Sequence, residues 1–163
     1  MSTPTLVTER LRLRPHRAAD LDDCVTLWQD DTVTRFTSRR PLDRQEVWTR
    51  LLRHPGHWAL LGFGYWVAED AATGRFVGEV GFADWRRDLL AGHPDVAGVP
   101  EAGWVTLPDF HGRGLAREAL TAALAWRDAN VPGAATFCLI DPGNGPSLSL
   151  AAHLGFRPGV GAG

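Results

Sequence analysis

The chain has 163 residues, 44% hydrophobic and 22% charged, with a net charge of −2, a balance that fits one globular domain over 1–163 and excludes a disordered or strongly charged chain. All 17 basic residues are arginine, dispersed rather than gathered into a block, so the electrostatic footprint of a nucleic-acid binder is missing. No run approaches the roughly 20 apolar residues that cross a bilayer, and MSTPTLVTERLRLRP lacks the apolar core of a signal peptide. The expectation is a soluble cytoplasmic protein with neither a nucleic-acid nor a membrane partner. Cys24 and Cys138 form no CxxC pair and no zinc-like spacing, which reads as two reduced, buried thiols and no metal.

Leu11 and Leu13 alternate with Arg10, Arg12 and Arg14 before Pro15, the period of a half-buried first strand. Leu21, Cys24, Val25 and Trp28 repeat at helical spacing behind Asp20, Asp22 and Asp23, whose charge suits a helix start. A polar stretch follows. Asp43 and Glu46 then have capping-box spacing ahead of Val47, Trp48, Leu51 and Leu52, predicting a short helix that ends near His54-Pro55-Gly56. GYWVAE (64–69) and RFVGEVGF (75–82) read as a hairpin around Asp70 to Gly74. Arg86 to Pro100 carries charge, glycine and proline without periodicity and reads as a surface loop.

A strand is expected over Glu101 to Leu107, then the turn HGRGLA (111–116), then a helix. That helix has an apolar face of Ala116, Ala119, Leu120, Ala123 and Leu124, with Arg117, Glu118, Thr121 and Arg127 on its polar side. Two glycines at a strand-to-helix turn let backbone approach a ligand, and the unpartnered first N–H groups with the helix dipole suit a phosphate. Taken alone, the turn fits a tight bend without ligand equally well. AATFCLI (134–140) reads as a strand covered on both faces, and Pro146 opens a last helix, Ser147 to Leu154, closed by Gly155. The order is mixed α/β in a single domain. A dinucleotide fingerprint would need a small residue where Arg117 stands, and no Gly-Lys-Ser/Thr follows the turn, so Rossmann and Walker readings both fail.

EAGWVTLPDFHGRGLAREAL, with DPGNGPSLSLAAHLGF and TERLRLRP, resembles the GNAT superfamily of acyl-CoA-dependent N-acetyltransferases, in its ribosomal-protein acetyltransferase (RimJ/RimL-like) branch. The resemblance spans nearly the whole chain. It implies a central, mostly antiparallel twisted sheet, splayed between the fourth and fifth strands and flanked by helices. It implies acetyl-CoA as cosubstrate, with backbone N–H groups of Arg113, Gly114, Leu115 and Ala116 on its pyrophosphate. The whole turn, His111 and Gly112 through Arg117, would contact the cofactor, with His111 replacing the family's usual Gln or Arg. Val105 and Leu107, on the strand edge that pairs with pantetheine, and Asn144 would complete the cofactor set.

Transfer brings a neutral amine to the thioester, stabilises an oxyanion and protonates the thiolate. Glu101 is the first candidate to take the amine proton through water, with Glu79 in reserve. The competing reading of each is a solvated strand-edge carboxylate. Trp104 and Glu79 are expected to face the acceptor. Many superfamily members use a tyrosine in the last helix, where this chain has Ala151. The branch implies Ser147 as proton donor, although a serine there also caps a helix. His153 receives no role. The resemblance also implies two strands after LGF that RPGVGAG cannot form. The expectation is a C-terminally short domain, or an edge covered by a partner chain in a homodimer. Two functions follow: transfer of acetyl to a protein N-terminal α-amine or a small amine, or an acyl-CoA-binding regulatory module without turnover.

Overall fold

Five strands pair antiparallel in sequential order in a computed structural model that describes residues 2–159: β1 (Leu6–Val7), β2 (Leu11–Arg14), β3 (Tyr65–Asp70), β4 (Phe76–Ala83) and β5 (Glu101–Thr106). The strand expected to be first is second, because Leu6–Val7 pairs with Leu13 and Arg12 in a stretch too short to show a period. Register places Tyr65, Gly81 and Gly103 in one cross-strand row and Trp66, Val80 and Trp104 in the next. Adjacent rows point to opposite faces.

On the Trp66 face, Leu11, Leu13, Val80 and Phe82 pack with Leu115, Ala119, Leu120 and Ala123 of α4 (Leu115–Asn130). On the Tyr65 face, Val67 and Phe76 pack with Cys24, Leu27 and Trp28 of α1 (Leu21–Gln29) and with Val47 and Leu51 of α3 (Arg44–Leu61). The polar stretch between them contains a single helical turn, α2 (Asp31–Thr34), capped by the Asp30 side chain. The last helix, α5, spans Gly145–His153 with Asn144 as its N-cap.

Three expectations are corrected. The helix predicted to stop near Pro55 continues to Leu61, where Gly62 at φ 75° ends it. Its capping box is present as read. A proline inside a helix costs about 3 kcal/mol. Here Val47, Leu51, His54 and Trp58 keep one buried face across the break, and the Trp58 indole donates to the Tyr65 carbonyl at 2.9 Å.

The strand predicted over 134–140 reduces to one parallel bridge at Phe137, and the segment is half-buried or exposed rather than covered on both faces. Its backbone diverges from β5 after that bridge, so hydrophobic composition alone did not make a ladder. Residues 157–159 carry no strand, as expected, and the rest of RPGVGAG lies outside the described residues.

Arg127, assigned to the polar face of its helix, is buried at 1% exposure. Its guanidinium donates to Thr136 Oγ1 and to the carbonyls of Val131, Gly133 and Ala135, latching the connection that leads into 134–140. Arg127→Met keeps the apolar stem and removes every one of these donors. It is expected to lower unfolding stability by about 3 kcal/mol in urea titration, since charge-assisted bonds and orphaned carbonyls each contribute on that scale. Wild-type stability in the variant would refute the latch.

Candidate active site

The site begins where strand pairing stops. The Leu107 N–H donates to Val77 O of β4 at 2.8 Å, so by two-residue alternation Gly103 and Val105 also direct their main-chain groups inward. Ala102, Trp104 and Thr106 direct theirs to the outer edge. Only the first is used by a neighbouring strand-like segment: Ala102 N–H donates to Phe137 O at 2.7 Å. This corrects the expectation for Val105 and Leu107. The main-chain donors open to an extended ligand are Trp104 and Thr106, while Val105 contributes its side chain to the cleft wall and Leu107 packs inward.

Beyond β5 a short 3₁₀ turn, Pro108–Phe110, leads into the glycine turn. Gly112 and Gly114 have φ of 75° and 74°, the left-handed region that glycine enters without strain. Among the described residues, no N–H from Gly112 through Arg113, Gly114, Leu115 and Ala116 to Arg117 has a hydrogen-bond acceptor. The carbonyl of Arg113 is fixed by Arg10, which also pairs with Glu118 at 2.8 Å. The turn is therefore braced from its far side and bare on its solvent side, at the positive end of a 16-residue helix. His111 Nε2 donates to the Thr106 carbonyl at 2.9 Å, bending the imidazole back over the strand end.

The gap opens into a cleft of about 670 Å³ lined by residues from β5, α1, α3, the 36–39 loop and the start of α5. Glu101 lies in it, 6% exposed, held by both arms of the Arg87 guanidinium at 2.9 and 2.8 Å. Ser147 Oγ accepts from the Trp104 indole at 3.2 Å, and since an indole only donates, the serine hydrogen stays available. Asn144 Oδ1 caps Ser147 N–H at 3.3 Å, and the residue lines the cleft. The Tyr65 hydroxyl forms part of the floor: a Cβ on Gly103 would meet it at 1.8 Å, so the strand needs glycine there. Burial pushes the Tyr65 phenol well up, which keeps it protonated.

Glu79 is not in the cleft, contrary to expectation. It is buried beneath α1 and α3, accepting from Trp28 Nε1 at 2.7 Å, with His16 Nε2 at 2.5 Å and His54 Nε2 at 3.3 Å. Despite burial, the two histidines hold its carboxyl well below the usual range. Burial pushes His54 down to about 4. His16, His54 and Glu79 form the metal-ligand-type group among the described residues, with ligand atoms within 4.8 Å of one another. Their imidazoles stack at 4.2 Å and 21°, with both Nε2 atoms near the same Glu79 oxygen. Cys24 is buried next to this group and Cys138 is half-buried; neither is in a disulfide.

Tyr65, Arg87, Trp28, Trp85 and Arg50 are cleft residues that the sequence reading did not select. For Tyr65 a signal existed, because glycines at 81 and 103 inside strands mark a close approach. For Trp85 and Arg87 the signal was coarse, a tryptophan of core or cleft wall and a loop beside the acceptor; for Trp28 and Arg50, on separate helices, there was none.

The family model described as "Acetyltransferase (GNAT) domain" matches residues 10–157. A protein assigned to the GnaT acetyltransferase family in Bordetella pertussis is 35% identical, with 95% of this chain and 89% of that chain covered and a TM-score of 0.82. The Bacillus subtilis protein YkkB is 28% identical over 156 residues, 93% of this chain and 84% of its own length. An acetyltransferase from Salmonella typhimurium that modifies the N-terminal serine of ribosomal protein L7/L12 shares the fold, with a TM-score of 0.75 at 12% identity over 93% of this chain and 83% of that one.

The buried cluster makes stability acid-sensitive. An unfolded chain binds a proton on His54 near its ordinary 6.5, whereas the folded side chain stays neutral down to about 4. Between those values the unfolded state holds more protons, so stability falls as pH drops from 6.5 to 4, by roughly 3 kcal/mol in total. The Glu79 contribution is lost only further down, below the ordinary carboxylate range. Urea melts across this window are expected to show the slope in wild type and most of it absent in His54→Gln; equal slopes would refute it.

Proposed function

The chain belongs to the GNAT acetyltransferases and is an acetyl-CoA-dependent transferase, and from that premise we propose that it moves acetyl directly onto a primary amine in a ternary complex. The acceptor is a protein N-terminal α-amine or a small-molecule amine, as in the RimJ/RimL-like branch. The observation that carries the reading is the run of acceptor-free N–H groups from Gly112 to Arg117, set at the end of a strand whose outer edge is also open. Such a turn fits a pyrophosphate, and such an edge fits an extended amide-containing arm.

Acetyl-CoA supplies the acyl group as a thioester with a thiolate leaving group. The protein supplies position and proton traffic. Arg113, Gly114, Leu115 and Ala116 hold the diphosphate, the Trp104 carbonyl and Thr106 N–H pair with the arm, and Asn144 contributes its amide beside it. Trp104 N–H, directed into the gap beside the cleft, is the donor for the developing oxyanion. Glu101 accepts the proton of the incoming amine through water, with Arg87 fixing its carboxylate plane. As the C–N bond forms and the C–S bond breaks, Ser147 relays a proton to sulfur, giving its free hydroxyl hydrogen and taking back, through water, the proton that the nitrogen sheds. No covalent enzyme intermediate is needed.

Calorimetric titration is expected to show saturable binding of acetyl-CoA and none of NAD. Glu101→Gln should lower kcat by about a hundredfold with the alkaline pH dependence altered. An unchanged pH–rate profile in that variant would remove Glu101 as base. Binding of acetyl-CoA with no transfer to a broad amine panel would favour the regulatory-module reading.

A further inference from the structure

Five charged side chains line the cleft: Arg39, Arg50, Arg87, Glu101 and Asp141. Four of them neutralise one another, Arg39 with Asp141 at 2.6 Å and Arg87 with Glu101 at 2.8 Å. Arg50 is left over. Among the described residues it enters no ion pair, and its buried Nε has no hydrogen-bond acceptor. A desolvated guanidinium nitrogen without an acceptor is costly, so an occupant that supplies one is favoured.

The side chain is also held in place. Its Cζ lies 4.1 Å over the Trp28 ring and 5.6 Å from the Trp85 ring centre, both within cation–π range. Trp28 cannot swing, because its indole N–H is anchored on buried Glu79 at 2.7 Å. Arg53 lies over the other part of the same platform, 4.5 Å from Trp85, and its charge is disfavoured by burial and then by Arg50 and Arg87. Two like charges thus lie over one tryptophan, Arg50 and Arg53, with the Arg87–Glu101 pair also lining the cleft.

We infer that Arg50 receives a carboxylate carried by the acceptor, so that the amine substrate is itself acidic. A planar fork preset between two rings matches a carboxylate by two parallel N–H···O bonds. This inference rests on the acetyl-transfer reading and specifies its substrate class. The carboxylate is either the α-carboxylate of a free amino acid or an acidic side chain near a peptide N-terminus.

The test compares matched pairs: alanine against alaninamide, and Ala-Glu-Ala-amide against Ala-Gln-Ala-amide, with wild type, Arg50→Gln and Arg50→Lys, each checked for folding by thermal melt. Wild type is expected to prefer the acidic member of one pair by roughly ten- to a hundredfold in kcat/KM. That preference should vanish in Arg50→Gln, mostly through KM, and return in part in Arg50→Lys. Which pair discriminates identifies the source of the carboxylate. Equal transfer to both members of both pairs, or a preference untouched by Arg50→Gln, would overturn the inference while leaving acetyl transfer standing. If no member is acetylated, the transfer reading fails for these amines, and binding decides: N-acetylalanine but not N-acetylalaninamide should raise the Tm of wild type and not of Arg50→Gln. No such difference would overturn the role of Arg50.

Discussion

Everything functional in this fold follows from one hydrogen bond being the last of its row. Ala102 N–H meets Phe137 O, and after it the two chain segments part. Had the pairing continued, Trp104 and Thr106 would have spent their main-chain groups on a neighbour and no gap would exist. Because it stops, the edge of β5, the bare glycine turn and the mouth of the cleft fall along one line. An open edge is ordinarily a hazard in a sheet. Here the segment that fails to pair is fastened elsewhere, by the Arg127 guanidinium on its incoming loop and by Asn144 and Ser147 at its outgoing helix. The gap is a fixed feature rather than a frayed one.

A second constraint is electrostatic. The layer of helices over the Tyr65 face is attached by buried charge as well as by apolar contact. Arg14 is shared between Asp20 at the entrance to α1 and Glu69 of β3, and Glu79 collects Trp28, His16 and His54. Arg14 and Glu79 each draw partners from different elements, so removing one member leaves a buried charge uncompensated. Such networks fix orientation. Trp28 is the clearest case: its ring forms cleft wall because its nitrogen is tied to the core. The cleft wall thus inherits its rigidity from polar groups buried beneath it.

The sequence carried the order of elements from Leu11 to the helix after the glycine turn, the capping box at Asp43 and Glu46, and the hairpin, since each depends on local chemistry. It misled where a tertiary contact overrode a local rule. Pro55 looked like a stop until the burial of His54 and Trp58 outweighed it. Arg127 looked solvent-facing because its partners are main-chain carbonyls, which composition does not reveal. The apolar run 134–140 satisfied the pattern of a strand yet had no ladder to join for most of its length. Among site residues, those on one strand and one turn were legible, whereas Glu79 was misplaced because the burial of its face is decided by α1 and α3. Arg50 and Trp28 had no site signal, being neighbours of Trp85 only after three elements pack.

The row Tyr65, Gly81, Gly103 crosses three strands and ends under the cleft. The Tyr65 ring occupies the space that the missing Gly103 side chain leaves vacant, while at Gly81 it is the Gly64–Tyr65 backbone that comes close. Cleft depth is therefore encoded on an interior strand, away from the open edge of β5 and from the bare glycine turn. Exchanging one ring at position 65 would reshape the chamber for a bulkier guest while leaving the chemistry of β5 unedited. Evolution or an engineer could retune guest size from beneath, through a residue that belongs to the scaffold.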